Sequence, residues 1–206
     1  MINDYIVASM YTPRYKHYAR DLKGDLDRLG IPYKIERYED TGSYVSNHLL
    51  KPAHMQKMLR ESGKDILWVD VDSRVHGTFD YLDNEFTGDV GAVMFERNAY
   101  GVKHARKHIP YATMCTATMY LRATEGVRSL IDEWVATLSP REDAVSIIQY
   151  DWNLLFREKA EGYGVTFEEL PFEYCWVESG DAEHNKQMKV ISPIIEQFYA
   201  NVVMRK

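Results

Sequence analysis

Asp70 and Asp72 stand one residue apart at the end of the run Ile66-Leu67-Trp68-Val69. Two carboxylates this close repel each other unless a positive charge lies between them, and a hard divalent cation supplies it best. Residues 66–69 read as a short strand buried on both faces, the kind that fills the middle of a parallel sheet. Side chains of an extended chain alternate with period 2, so Asp70 and Asp72 are expected to point the same way past the strand end. Ligands of open α/β sheets gather at that end. The expectation is a metal site at the mouth of a sheet. Asp-x-Asp triplets also arise as solvated turns, and the buried strand directly ahead sets this one apart.

The preceding chain alternates strand and helix. Residues 5–10 form an apolar, β-leaning run. A helix is expected over 18–29, closed by Gly30, and a second strand over 32–38 after the Ile31-Pro32 turn. Residues 39–48 read as a loop rich in Gly, Ser and Asn. The next helix is placed over 52–62, with Pro52 in its first turn, where the missing N–H costs nothing, and Gly63 ends it. Strand, helix, strand, helix, strand is the signature of a doubly wound α/β unit. Further strands are expected over 90–95, 117–121 and 165–170, and helices over 125–138 and 146–161. The first of these helices sets Val127, Leu130, Ile131, Trp134, Val135 and Leu138 on one side. No repeat or linker interrupts the 206 residues, so one domain is expected.

A net charge of -6 argues against unspecific nucleic-acid binding, although a local basic patch would override it. No apolar run reaches the ~20 residues of a membrane helix. No basic region precedes the short apolar stretch after Asp4, so no secretory signal is expected and a cytoplasmic location is the default. Cys115 and Cys175 lie in neither metal nor redox spacing and read as small buried hydrophobes. Neither a G-x-x-x-x-G-K-[ST] loop nor a G-x-G-x-x-G follows the first strand. A nucleotide bound here would be held by a metal bridging its phosphates to the aspartates.

Several short motifs occur in the order found in one family. Ser9-Met10-Tyr11-Thr12 follows the first strand, and Lys51-Pro52 precedes Trp68-Val69-Asp70-Val71-Asp72. Cys115-Thr116-Ala117-Thr118-Met119-Tyr120 is similar to an "S-G-T-x-x-F" strand. Gln149-Tyr150-Asp151-Trp152-Asn153-Leu154 lies where "D-Q-x-x-L" is expected, and Leu170-Pro171 with Tyr174 matches "L-P-x-x-[WY]". In this order the chain resembles the GT-A fold glycosyltransferases, in particular the small DxD-containing nucleotide-diphospho-sugar transferases. The departures are a missing Gly at Thr116-Ala117, Trp152 in place of the Gln, and Gln197, beside Glu196, in place of a C-terminal metal-binding His.

The resemblance implies a single α/β domain of GT-A type, a Rossmann-like, mostly parallel mixed sheet flanked by helices. Residues 1–75 would form the nucleotide-binding half and 76–206 the sugar- and acceptor-binding half. Ser9, Tyr11, Thr12 and Tyr15 would receive the nucleoside, and Thr116 would line the sugar. Asp70 and Asp72, with Gln197 as third ligand, would hold Mn²⁺ or Mg²⁺, and Asp72 would serve catalysis through it. Lys51 would add positive charge near the phosphates, although a solvated lysine in a helix first turn fits it equally. Asp151 is the acceptor-side candidate, to orient or deprotonate a hydroxyl, against the alternative of a surface helix aspartate. Trp152 reads as core.

The implied activity is metal-dependent transfer of a sugar from a nucleotide-diphosphate donor, UDP-sugar favoured, to a hydroxyl acceptor. Arg97, Lys103, Arg106 and Lys107 form a basic stretch that reads first as a solvated loop and, as the alternative, could meet an anionic acceptor, including nucleic acid carrying a hydroxylated base. The rival readings are a nucleotidyltransferase or nucleotide-sugar hydrolase with the same metal geometry, and a non-catalytic nucleotide-binding module.

Overall fold

A computed structural model describes residues 4–95, 113–138, 147–177 and 192–197. In chain order these are β1 (Tyr5–Tyr11), a 3-10 turn (Pro13–Tyr15), α1 (Lys16–Leu29), β2 (Tyr33–Arg37), α2 (Tyr44–Glu61), β3 (Asp65–Val69) and β4 (Ser73–Val75). Then follow α3 (Asp80–Asn84), β5 (Val90–Phe95), β6 (Thr113–Leu121), α4 (Glu125–Thr137) and α5 (Ile147–Lys159). A 3-10 turn (Glu161–Tyr163), β7 (Phe167–Glu169), a third such turn (Phe172–Cys175), β8 (Trp176–Val177) and β9 (Ile195–Gln197) complete them.

The main sheet runs in the order β2-β1-β3-β6-β5-β7. β1 is parallel to both β2 and β3, and β7 is parallel to β5, whereas β6 runs antiparallel to both its neighbours. This is the mixed, mostly parallel sheet that the sequence predicts. A second sheet, β4-β9-β8, grows from the chain immediately after Asp72.

β3 shows why its residues 66–69 are all apolar. Leu67 and Val69 enter a core on one face with Val7, Leu22, Leu26, Phe79, Tyr120 and Tyr174. Ile66 and Trp68 enter the core on the other face with Met55, Met58, Leu59, Leu130, Ile131, Trp134 and Trp152. With period 2 and helices on both sides, none of these four positions can be polar without being buried. Each such fully buried side chain contributes about 1.5–3 kcal/mol, before conformational entropy is set against it.

Two local expectations are corrected. α2 begins at Tyr44, so part of the expected 39–48 loop is helix and Pro52 lies well inside it. The Ser43 side chain caps this helix, accepting from the Ser46 N–H at 3.3 Å, and Thr41 and Asn47 brace the turn ahead of it. Burial of Pro52 and its neighbours against the sheet outweighs the one backbone hydrogen bond that the proline removes. The second correction concerns the aspartates. β3 stops at Val69, and Val71 and Asp72 form a turn that leads into β4. Strand alternation therefore relates Trp68 to Asp70 and does not extend to Asp72.

β6 begins at Thr113, ahead of the expected start at 117, while most other boundaries hold closely. Gly30 and Gly63 adopt the left-handed conformation just after α1 and α2, and Thr124 caps α4 through the Val127 N–H. Trp152 is fully buried between Trp134 and Phe156, as a core residue should be. Among the described residues no helix is long and apolar enough to cross a membrane.

Candidate active site

Parallel pairing sets Ala8 beside Trp68, which brings the carboxyl ends of β1 and β3 together. Antiparallel pairing sets Val69 beside Thr118, and the Asp70 N–H continues that ladder to the Ala117 carbonyl at 2.8 Å. One rim of the sheet thus carries Tyr11 and Thr12, Asp70, and the 116–118 stretch of β6.

Asp70 is held tightly. Its Oδ1 accepts from Lys51 Nζ at 2.7 Å and from the Trp68 indole N–H at 2.7 Å. Lys51 is only 7 % exposed, and its ammonium also lies 5.3 Å from the Trp68 ring centroid. An ammonium taken out of water needs such partners, and a carboxylate plus an aromatic face supply them. Lys51 projects from the interior of α2, so the reading of a solvated first-turn lysine is corrected. Both bonds fall on Oδ1, so this pairing does not use Oδ2.

The small sheet delivers Gln197 to the same place. Ser73 pairs with Gln197 across β4 and β9, and the Ser73 hydroxyl lies 2.6 Å from Gln197 Oε1. Gln197 Nε2 donates to the Thr118 hydroxyl at 3.0 Å. At 5 % exposure the Gln197 amide is a buried bolt between β4 and β6. Ser73 Oγ also lies 2.5 Å from the Asp70 carbonyl, which fixes the turn containing Asp72. Asp25 braces this turn from below, gripping Arg74 through two bonds of 2.6 and 2.9 Å and the Val75 N–H at 3.1 Å. Burial pushes the Asp25 carboxyl up, but the Arg74 and Val75 hydrogen bonds outweigh it and hold it below its ordinary value.

On the β1 side, Thr12 is buried and its carbonyl accepts from the Tyr15 N–H at 2.9 Å. Burial first, then the negative charge of Asp72, holds the Tyr15 phenol above its ordinary value. Tyr15 and Asp72 therefore share one electrostatic environment. Ser9 is fully buried, and its hydroxyl finds no hydrogen-bond partner among the described residues. Tyr11 is half-buried at the strand end, with Lys23 Nζ 5.8 Å from its ring centroid.

Thr116 is buried in β6, one residue from the Ala117 carbonyl that binds Asp70. Asp151 lies on α5, half-buried, two residues before Asn153. Asn153 clamps both backbone groups of Met114, accepting at 2.8 Å and donating at 3.1 Å, so α5 is fixed to the start of β6. Arg97, Lys103, Arg106 and Lys107 lie outside the described residues.

Sequence reading missed Trp68, Ser73, Thr118 and Asn153. For Trp68 a signal existed, because residues i and i+2 of a strand share a face. The partners of Gln197 and Asn153 are distant in sequence and had none. Cys115 and Cys175 are buried, as their reading as small hydrophobes predicts, and their sulfurs are 3.5 Å apart in the core below the rim, a proximity their spacing does not signal. The S–H donated by Cys175 holds the Cys115 thiol below its ordinary value, with Lys51 pulling the same way, while that bond and burial push Cys175 up.

The carboxylates of Asp70 and Asp72 are of the hard oxygen type that would suit Mg²⁺ or Mn²⁺ rather than a softer metal, whereas the Gln197 amide oxygen is already engaged by Ser73 Oγ. Among the described residues no group of three or more His, Cys, Asp or Glu is placed to hold a metal ion. Two carboxylates completed by substrate phosphates is the usual arrangement for such ions.

Three solved structures share this architecture. A glycosyltransferase involved in glycosylation of the major capsid of PBCV-1 superposes with a TM-score of 0.61 at 10% identity, over 95% of this chain and 93% of its own. GlyE of Streptococcus pneumoniae TIGR4, in its apo form, gives 0.62 at 13% identity, over 96% of this chain and 54% of its own. The bifunctional WbbM gives 0.57 at 12% identity, over 96% and 46%. This chain has a GT-A-like glycosyltransferase fold. It spans about half the length of GlyE and WbbM. No family model and no curated protein matches it in sequence, so the glycosyltransferase fold rests on three-dimensional likeness. Within that fold, the rim bearing Asp70 and Asp72 is the carboxyl edge where the chain changes direction between strands.

Proposed function

We propose that this protein is a metal-dependent glycosyltransferase that moves a sugar from a nucleotide-diphosphate donor, UDP-sugar favoured, to a hydroxyl acceptor. The observation that carries the reading is Asp70, pinned by Lys51 and Trp68 at the carboxyl edge of a glycosyltransferase fold, with Asp72 in the next turn. Asp70 and Asp72 would hold Mn²⁺ or Mg²⁺, with the Gln197 amide beside them. When bound, the ion supplies charge neutralisation at the diphosphate leaving group. Lys51 adds a buried positive charge to the same rim. Ser9, Tyr11, Thr12 and Tyr15 are assigned to the nucleoside, the unpartnered Ser9 hydroxyl being a group that a ligand would satisfy. Thr116 is assigned to the sugar.

Asp151 is assigned to the acceptor, since Asn153 fixes its helix to the strand that borders Asp70. Arg97, Lys103, Arg106 and Lys107 are assigned to an anionic acceptor, nucleic acid included. Charge reversal at Arg106 and Lys107 should then lower activity on such an acceptor and leave a neutral one untouched. A cytoplasmic location belongs to the same proposal.

The test is a calorimetric and turnover screen of nucleotide sugars with Mn²⁺, run on the native protein and on Asp72→Ala. Mn²⁺-dependent binding of a UDP-sugar that the variant loses, with an unchanged circular dichroism spectrum, supports the reading. Equal binding by both proteins refutes the metal role. Release of free sugar with no transfer to any acceptor would identify a hydrolase instead.

A further inference from the structure

Cys115 and Cys175 are the two cysteines of the chain, and both are unbridged. Cys115 lies in β6, one residue before Thr116. Cys175 closes the turn that leads into β8. Their sulfurs face each other at 3.5 Å, with Cys175 donating to Cys115. A disulfide needs about 2.05 Å between sulfurs, so a modest approach of the two segments would suffice. We propose that Cys115 and Cys175 form a reversible dithiol–disulfide pair that ties the small sheet to the main sheet beneath the donor site.

The two segments sit on opposite sides of the Gln197 bolt. β8 pairs directly with β9, Val177 lying beside Gln197, while Gln197 donates to Thr118 of β6. A covalent link between Cys115 and Cys175 therefore ties β6 to the turn that leads into β8, the strand paired with the one carrying Gln197. The displacement passes to Ser73 and the Asp70 carbonyl through the bonds already described.

Hydrogen peroxide is the oxidant of the right class, small enough for a pair that is 7 % and 0 % exposed. One sulfur attacks a peroxide oxygen and the O–O bond breaks, giving a sulfenic acid and, after proton uptake, water. The second thiol then displaces hydroxide from that sulfur, which leaves as a second water. Two thiols lose two protons and two electrons, and one peroxide becomes two waters. A dithiol reductant reverses the bond by exchange.

The effect on donor binding rests on the function proposed above, whereas the bond itself does not. The reduced native protein is treated with hydrogen peroxide and analysed by intact mass and by a non-reducing peptide map. The expected result is loss of two hydrogen masses, one cross-linked peptide containing Cys115 and Cys175, and full reversal by dithiothreitol. The urea midpoint should rise in the oxidised form, because a link across 60 residues restricts the unfolded chain. UDP-sugar affinity with Mn²⁺ should fall roughly tenfold on oxidation. Two thiols that stay free, oxygen adducts on single cysteines, or a bond that forms only in denaturant would overturn the pairing. A bond that forms with donor affinity unchanged would overturn the link to the site. A reduced protein that binds no nucleotide sugar would count against the transferase reading, and the mass measurement would still decide the bond.

Discussion

Lys51 Nζ and Asp70 Oδ1 lie 2.7 Å apart, joining the middle of α2 to the end of β3 across 19 residues of chain. The ammonium is the resident counter-ion of the Asp70 carboxylate. It should compete with a divalent cation for Asp70 and cooperate with it in holding a diphosphate. Lys51→Met is therefore expected to bind Mn²⁺ alone more tightly and the nucleotide-sugar donor roughly tenfold more weakly. Isothermal titration with each ligand separately reads both signs; a variant that weakens both would show that Lys51 only supports the fold.

Asp25 makes a two-pronged contact with Arg74 from within the core. Asp25→Asn keeps the shape and removes the charge, so Arg74 loses its counter-ion and one acceptor. A destabilisation of about 2 kcal/mol is expected in urea unfolding.

His54 is fully buried between Tyr38 and Trp68, with its Nδ1 2.9 Å from the Tyr38 hydroxyl. Burial pulls its pKa down to about 4, against the attraction of Glu36 and with the help of Lys57 and Lys34. The unfolded chain takes up this proton near pH 6.5 and the folded one refuses it until about pH 4. Stability contributed by the neutral ring is thus present above pH 6.5 and lost as pH falls through that window, by at most about 3 kcal/mol. Stability curves of the native protein and His54→Gln should converge in slope above pH 6.5 and diverge below it.

Gln197→Ala removes the amide that joins the Ser73 and Thr118 hydroxyls, although Ser73 keeps the Asp70 carbonyl. A loss of about 1–3 kcal/mol is expected, with a lower urea midpoint.

Gly126 sits in α4, where alanine ordinarily stabilises a helix by up to about 1 kcal/mol. Here an added Cβ would meet the Tyr163 carbonyl well inside van der Waals contact, and that oxygen belongs to backbone, which cannot swing aside. Gly126→Ala should destabilise by about 1–3 kcal/mol, the opposite of the propensity prediction. Thermal unfolding gives the sign directly.

Sequence alone determined the elements whose signals are local. The apolar run before Asp70, the αL glycines Gly30 and Gly63 and the 3.6-residue stripe of α4 each act within a few residues, so each can be read in one dimension. The order of short motifs pointed to the fold for the same reason. Tertiary structure decided the rest. Only the strand order sets Thr118 beside Val69, only β9 carries Gln197 to Ser73, and only the packing of α2 on the sheet aims Lys51 at Asp70. The start of α2 and the turn at Asp72 were misjudged because burial and capping outweighed proline and strand period. Contacts between residues 19 to 124 positions apart are fixed by how layers stack, and no local pattern encodes them.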